Sequence, residues 1–101
     1  MNQKVKAKNK RAAKQFAVSF TDNAWEDYLH WQSEDPDIAT KINDLLTECL
    51  RTPFQGTGKP EPLSGDLTGY WSRRLNQEHR LVYLPEDGGI AVVACRYHYD
   101  P

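Results

Sequence analysis

The dipeptide Asp35-Pro36 constrains the first half of this chain more than any other feature. Proline breaks a helix from within, since it lacks an N–H and its ring strikes the preceding turn, but it fits the first helical position behind a capping aspartate. The apolar patterns on either side of it therefore read as two helices and not one. Before it, Trp25, Tyr28, Leu29 and Gln32 lie on one side of a helix, with Trp31 close by. Thr21 or Asn23 can cap its start, and Asn23 with Glu26 fits a capping box. After it, Ile38, Ile42, Leu45, Leu46 and Cys49 form a single apolar stripe, and Pro53 ends the helix. Two helices with one-sided stripes form a hairpin that needs a floor.

The rest of the chain supplies one. Phe16, Val18 and Phe20 alternate with small or polar residues, which predicts a first strand. Residues 70–75, 80–84 and 89–99 read as three more, joined by turns at 76–78 and 85–88. Turns this short imply an antiparallel meander. A chain of 101 residues makes one domain, expected over 16–101 as an α+β fold with the helical hairpin packed on the sheet.

Residues 1–15 stand apart. Six of the 13 basic residues lie there with no acid, leaving seven against all 14 acids in the remainder, so an arm of +6 precedes a domain of −7. Such an arm reads as a flexible, solvated tail that can touch nucleic-acid phosphates without reading sequence. The longest apolar run, residues 90–95, is far below the roughly 20 residues of a membrane span. Cys49 and Cys95 fit no metal-ligand spacing and read as reduced thiols, so the expected setting is the cytoplasm with no membrane. His30 and His79 show no ligand spacing either and receive no chemical role.

Side chains alternate faces along a strand, so parity can be followed across the meander. Pairing Leu75 with His79 sets Arg74 opposite Arg80, and pairing Leu84 with Ile90 sets Arg80 opposite Ala94. Arg74, Arg80, Arg96 and His98 then share one face with Val82, Leu84, Ile90 and Val92. The other face carries Trp71, Leu81, Tyr83, Val93, Cys95 and Tyr97 as the floor for the helices. Taken singly, each polar residue has an ordinary reading: Arg73, Arg74 and Arg80 as exposed residues paired with Glu78 or Glu86, Tyr97 and Tyr99 as packing aromatics. Together they make a cationic rim suited to a phosphodiester, because the guanidinium fork matches phosphate oxygens and a histidine with an ordinary pKa near 6.5 exchanges protons around neutrality.

Between helix and meander, residues 52–69 lose all periodicity and hold four glycines and three prolines. Structureless connections of that length tend to be functional. Within it Glu61 stands between Pro60 and Pro62, after Lys59. RNA carries its own nucleophile, the 2′-OH, so its cleavage requires a base, an acid and cations around phosphorus, with no metal or cofactor. Glu61 suits the base and His98 the acid.

The segments RTPFQGTGKPEPL (51–63), GYWSRRLNQEHRLVY (69–83) and ACRYHY (94–99) closely resemble the YoeB toxins of bacterial toxin–antitoxin pairs, and AWEDYLHWQ (24–32) fits the start of their first helix. The resemblance spans roughly residues 18–99. It implies the RelE-like microbial ribonuclease fold, two helices on a mostly antiparallel sheet, and a metal-independent endoribonuclease that cuts mRNA in the ribosomal A site. It further implies Glu61 as general base, His98 as general acid and Arg80 as stabiliser of the scissile phosphate. Arg74 and Lys59 become supporting cations, with Arg96 on the same rim, and Tyr99 orients the substrate. Implied partners are a YefM-like antitoxin, the ribosome with its mRNA, and a second copy in a homodimer. The alternative expectation is a non-catalytic module of the same fold that binds RNA or a partner. Two departures are the basic arm, without a counterpart in the family, and Asp100-Pro101 after the His-Tyr pair, which sets a negative charge beside His98.

Overall fold

A computed structural model describes residues 17–97; the arm at 1–15, Phe16, and His98, Tyr99, Asp100 and Pro101 lie outside them. Helix α1 (Asp22–Glu34) is capped by Thr21, whose hydroxyl accepts the Ala24 N–H at 3.2 Å. The expected Asn23–Glu26 capping box is not used: the Asn23 amide donates instead to the Val93 carbonyl at 3.3 Å, tying the helix start to the sheet. The buried side of α1 also differs from the expected one. Ala24 and Trp31 are buried, while Trp25 and Leu29 remain 47% and 48% exposed. The helix is rolled so that the Trp31 indole N–H can donate to the Cys95 carbonyl at 2.7 Å, a bond a buried indole requires. Trp25 turns outward to stack on Tyr28 and meet Phe20 edge-on.

Helix α2 (Pro36–Arg51) follows the sequence expectation. Asp35 caps it, with its carboxylate accepting the Ile38 N–H, and Pro36 opens it. Ile38, Ile42, Leu45, Leu46 and Cys49 are buried. Full burial of an aliphatic side chain contributes roughly 1.5–3 kcal/mol, so this stripe is the main anchor of the hairpin. The Tyr28 hydroxyl donates to Asn43 Oδ1 at 2.7 Å and fastens the two helices together.

The strands β1 (Ala17–Phe20), β2 (Glu61–Pro62), β3 (Trp71–Arg74), β4 (Arg80–Glu86) and β5 (Gly89–Ala94) form one sheet in the order β1-β5-β4-β3-β2. Only β1 is parallel to its neighbour, β5; the other pairs are antiparallel. The first hairpin has the expected register, with Arg74 opposite Arg80. The second does not. Asp87-Gly88 closes a two-residue turn, a favoured hairpin geometry, so Glu86 pairs with Gly89 and Leu84 with Ala91, one residue away from the expected Leu84–Ile90. A bulge between Val82 and Tyr83 then restores parity by letting Val82 pair with Ala94.

The slip and the bulge redistribute β5. Ile90 and Val92 pack in the core against the helices with Leu81, Tyr83 and Cys95, and Val93 leaves the floor. On the opposite face Ala91 and Ala94 replace Ile90 and Val92. Tyr97 is not floor either: it is 56% exposed with φ at 70°. Burial pushes the Cys49 thiol up, and burial together with nearby Asp27 pushes Cys95 up to about 12, so both stay protonated at neutral pH. Among the described residues no helix is long and apolar enough to cross a membrane.

Candidate functional site

Parity along β3 points Arg73 to the helix side, between Trp71 and Leu75, and the structure buries it completely. The expectation of an exposed Arg73 is thus corrected. A buried guanidinium is tolerated only when its donors are satisfied. Here Nε donates to the Tyr83 hydroxyl (3.0 Å), and Nη1 to Glu48 (2.9 Å) and the Thr57 carbonyl (3.1 Å). Nη2 donates to the Gln55 carbonyl at 2.9 Å and to that of Thr52. Tyr83, its hydroxyl pushed up to about 12 chiefly by burial, donates onward to the Pro53 carbonyl at 2.6 Å. The first half of the irregular loop is therefore wrapped around one side chain.

Glu48 completes that shell by accepting the Thr57 N–H. This bond, followed by Arg73, holds its carboxyl below the ordinary glutamate value of 4.5. A carboxyl lowered on folding stabilises the protein fully above its unfolded value and loses that contribution as pH falls through the folded one. The urea midpoint of the wild type is therefore expected to drop as pH goes below about 4.5. Glu48→Gln should be less stable at pH 7 and flatter across the acid range. Equal acid slopes for the two proteins would remove Glu48 from this role.

Beyond Thr57 the loop runs down the edge of β3. The Arg74 N–H donates to the Gly58 carbonyl at 2.7 Å, Glu61 pairs with Ser72, Pro62 pairs with Trp71, and the Leu63 N–H donates to the Tyr70 carbonyl at 2.9 Å. Gly58 has φ at 86°, and a Cβ there would sit 3.1 Å from Arg73 Cβ and 3.2 Å from the Arg74 carbonyl oxygen, so only glycine passes this close to β3. The prolines on either side of Glu61 suit an edge strand, which needs few backbone donors. Glu61 is thus held at a fixed register while its side chain stays exposed. Lys59, also exposed, adopts φ 52° just before it.

Residues paired across a sheet share a face. Glu61, Ser72, Val82 and Ala94 form one row through three successive pairings, on the face away from the helices. The next row along holds Arg74 opposite Arg80. Arg96 follows two residues after Ala94, past the end of β5, where the Arg80 N–H donates to the Tyr97 carbonyl at 3.1 Å. Two strand spacings and two residues of rise separate Glu61 from Arg80 by roughly 12 Å between Cα atoms. Both side chains are long, so one ribose-phosphate unit can touch them together.

The rim is electrostatically frustrated. Like charges directly opposed across strands are destabilising, yet the ion pairs among the described residues are Arg73–Glu48 and the longer His79–Glu78 contact. Arg80 Nη1 donates to the carbonyls of Asn76 (2.8 Å), His79 (3.1 Å) and Gln77 (3.3 Å), which fixes the guanidinium above the turn. Arg96 lies over the Tyr97 ring, 4.7 Å from its centroid. Such a rim favours an anion. Of the expected site residues, Glu61, Arg74 and Arg80 share this face, Lys59 lies two residues before Glu61, and Arg96 follows the end of β5. His98 and Tyr99 lie outside the described residues.

The sequence reading missed the polar groups behind the rim. His79 is buried, its Nδ1 accepting the Tyr97 N–H at 2.7 Å and its ring meeting Trp31 edge-on at 4.7 Å. Asp27 accepts the Cys95 N–H at 3.1 Å. The available signal was parity, since residue 79 stands on the helix side with residues 75, 81 and 83, where a polar group needs a partner.

Residues 20–99 match the family of YoeB-like toxins of bacterial type II toxin–antitoxin systems. Toxin YoeB of Streptomyces coelicolor is 52% identical over 82 residues, covering 81% of this chain and 98% of that protein. The YoeB dimer from Staphylococcus aureus superposes with a TM-score of 0.79 at 45% identity, over 84% of this chain and 99% of that one. The YoeB–YefM complex from the same organism gives 0.77 at 45% identity, over 83% and 98%.

Proposed function

The chain belongs to the YoeB-like toxins of bacterial type II toxin–antitoxin systems, and we propose that it halts translation as a ribosome-dependent endoribonuclease that cleaves mRNA in the A site. The observation that carries this reading is the strand register, which sets an exposed carboxylate one row from two opposed arginines on the face turned away from α1 and α2. In the proposed reaction Glu61 takes the proton of the 2′-OH, and the freed oxygen attacks the adjacent phosphorus. Charge growing on the phosphoryl oxygens is met by Arg80, with Arg74, Arg96 and Lys59 around it. His98 protonates the departing 5′ oxygen. The products are a 2′,3′-cyclic phosphate and a 5′-hydroxyl, so every proton and bond is accounted for without a metal or cofactor. Tyr99 orients the substrate.

As partners we propose a YefM-like antitoxin, by likeness to the staphylococcal YoeB–YefM complex, and a second copy of the chain, by likeness to the YoeB dimer. The setting is the cytoplasm, where translating ribosomes are. The basic arm at 1–15 would add salt-sensitive affinity for ribosomal RNA.

Primer extension on a translated message tests the reading. Wild type is expected to yield discrete cuts within codons, only with ribosomes present, and His98→Gln none. A wild type that binds ribosomes without cutting would establish the alternative, a non-catalytic RNA-binding module. Cuts of equal strength from His98→Gln would remove that residue as the acid.

A further inference from the structure

We propose that His79 is a positioning residue which, by accepting the Tyr97 N–H, fixes the backbone of Tyr97, the residue that directly precedes the proposed acid in sequence; this rests on the nuclease reading above. The ladder of β5 ends at Ala94, and from there helix α1 and the β3–β4 turn hold the backbone in its place. Asp27 accepts the Cys95 N–H (3.1 Å) and the Trp31 indole donates to the Cys95 carbonyl (2.7 Å). Two residues on, His79 Nδ1 accepts the Tyr97 N–H (2.7 Å), and the Arg80 N–H donates to the Tyr97 carbonyl (3.1 Å). Both peptide groups of Tyr97 are thus fixed by the dipeptide that carries Arg80, the group proposed to meet the phosphate. The residue proposed as acid is bonded directly to Tyr97.

Tyr97 has φ at 70°, a left-handed conformation that a bulky residue keeps only when its surroundings impose it. His79 is well suited to impose it, since Trp31 meets its ring edge-on and Tyr97 packs at 5.7 Å. Accepting at Nδ1 requires a lone pair there, which assigns the ring hydrogen to Nε2, 3.7 Å from Glu78 Oε2. The imidazole thus acts on Tyr97 as an acceptor, a role distinct from that of the acid.

Two substitutions separate the acceptor from the ring. His79→Phe keeps the aromatic packing and deletes the acceptor. His79→Asn places an amide oxygen near the Nδ1 position and loses most of the ring. In single-turnover cleavage on programmed ribosomes, His79→Phe is expected to lower kcat by about 10–100-fold, the scale of a small misplacement of reacting groups, with KM unchanged. His79→Asn should stay within about threefold of wild type despite a lower Tm. Amide exchange at Tyr97 should accelerate in the phenylalanine variant and stay slow in the asparagine one. If wild type cuts and His79→Phe cuts equally fast, or if both variants lose activity in step with Tm, the positioning role is overturned while the nuclease reading stands. A wild type that cuts nothing overturns both.

Discussion

Glutamine at position 61 is expected to lower the cleavage rate by about 10²–10⁴-fold, the usual worth of a positioned general base, with Tm and ribosome affinity unchanged. The separation of effects follows from where Glu61 sits. Its backbone is fixed by pairing with Ser72, whereas its side chain is exposed. Glutamine is nearly isosteric, so register and packing persist and only the ability to take a proton is lost. Glu61→Asp is a sharper control: it keeps the base but withdraws it by one methylene, and should fall between the two. A Glu61→Gln variant within about threefold of wild type in single-turnover cleavage would show that the carboxylate takes no part in the proposed chemistry, and the attack would need another base on this face.

The helical hairpin was legible because its signals are local. Asp35 and Pro36 specify a cap and a first turn within two residues, and the stripe from Ile38 to Cys49 needs only the helical period. Helix α1 was legible as a helix but not in its rotation. Its apolar residues are spread too widely to select a face, and the choice was made by a distant partner, the Cys95 carbonyl that Trp31 must reach. The meander shows the same divide. Turn chemistry gave the first hairpin its register, but the bulge in the second is set by tertiary fit, and no residue near Val82 announces it. The arginine face was nonetheless read correctly for Arg74 and Arg80, because both lie in the first hairpin, which keeps the expected register, and the slip and bulge affect only β5. The pairing of β1 with β5 joins segments about 70 residues apart and left no local trace. Arg73 could have been placed by the alternation that placed its neighbours, had the preference of arginine for solvent not been weighed above parity.

That misplaced arginine carries the largest expected effect on stability. Arg73→Met should destabilise the protein by about 3–5 kcal/mol, the range for removing one partner from a buried charged network. In a chain of this size that corresponds to a fall in Tm of roughly 15 °C or more. Methionine fills much of the volume, so the loss would be electrostatic and not a cavity. Glu48 would lose its cation, and the carbonyls of Thr52, Gln55 and Thr57 their common donor. Arg73→Lys should recover less than half of the loss, because an ammonium cannot reproduce a planar fork that faces five acceptors. Arg74→Met, one residue away but exposed, should stay within about 0.5 kcal/mol of wild type. Since the segment gathered by Arg73 leads directly into the edge strand bearing Glu61, amide exchange at residues 55–58 should rise in Arg73→Met even well below its Tm, and cleavage should fall with it. Urea denaturation of the three variants checks the order. An Arg73→Met protein within 1 kcal/mol of wild type would mean that the loop holds its shape without the guanidinium, and that Glu61 is positioned by its pairing with β3 alone.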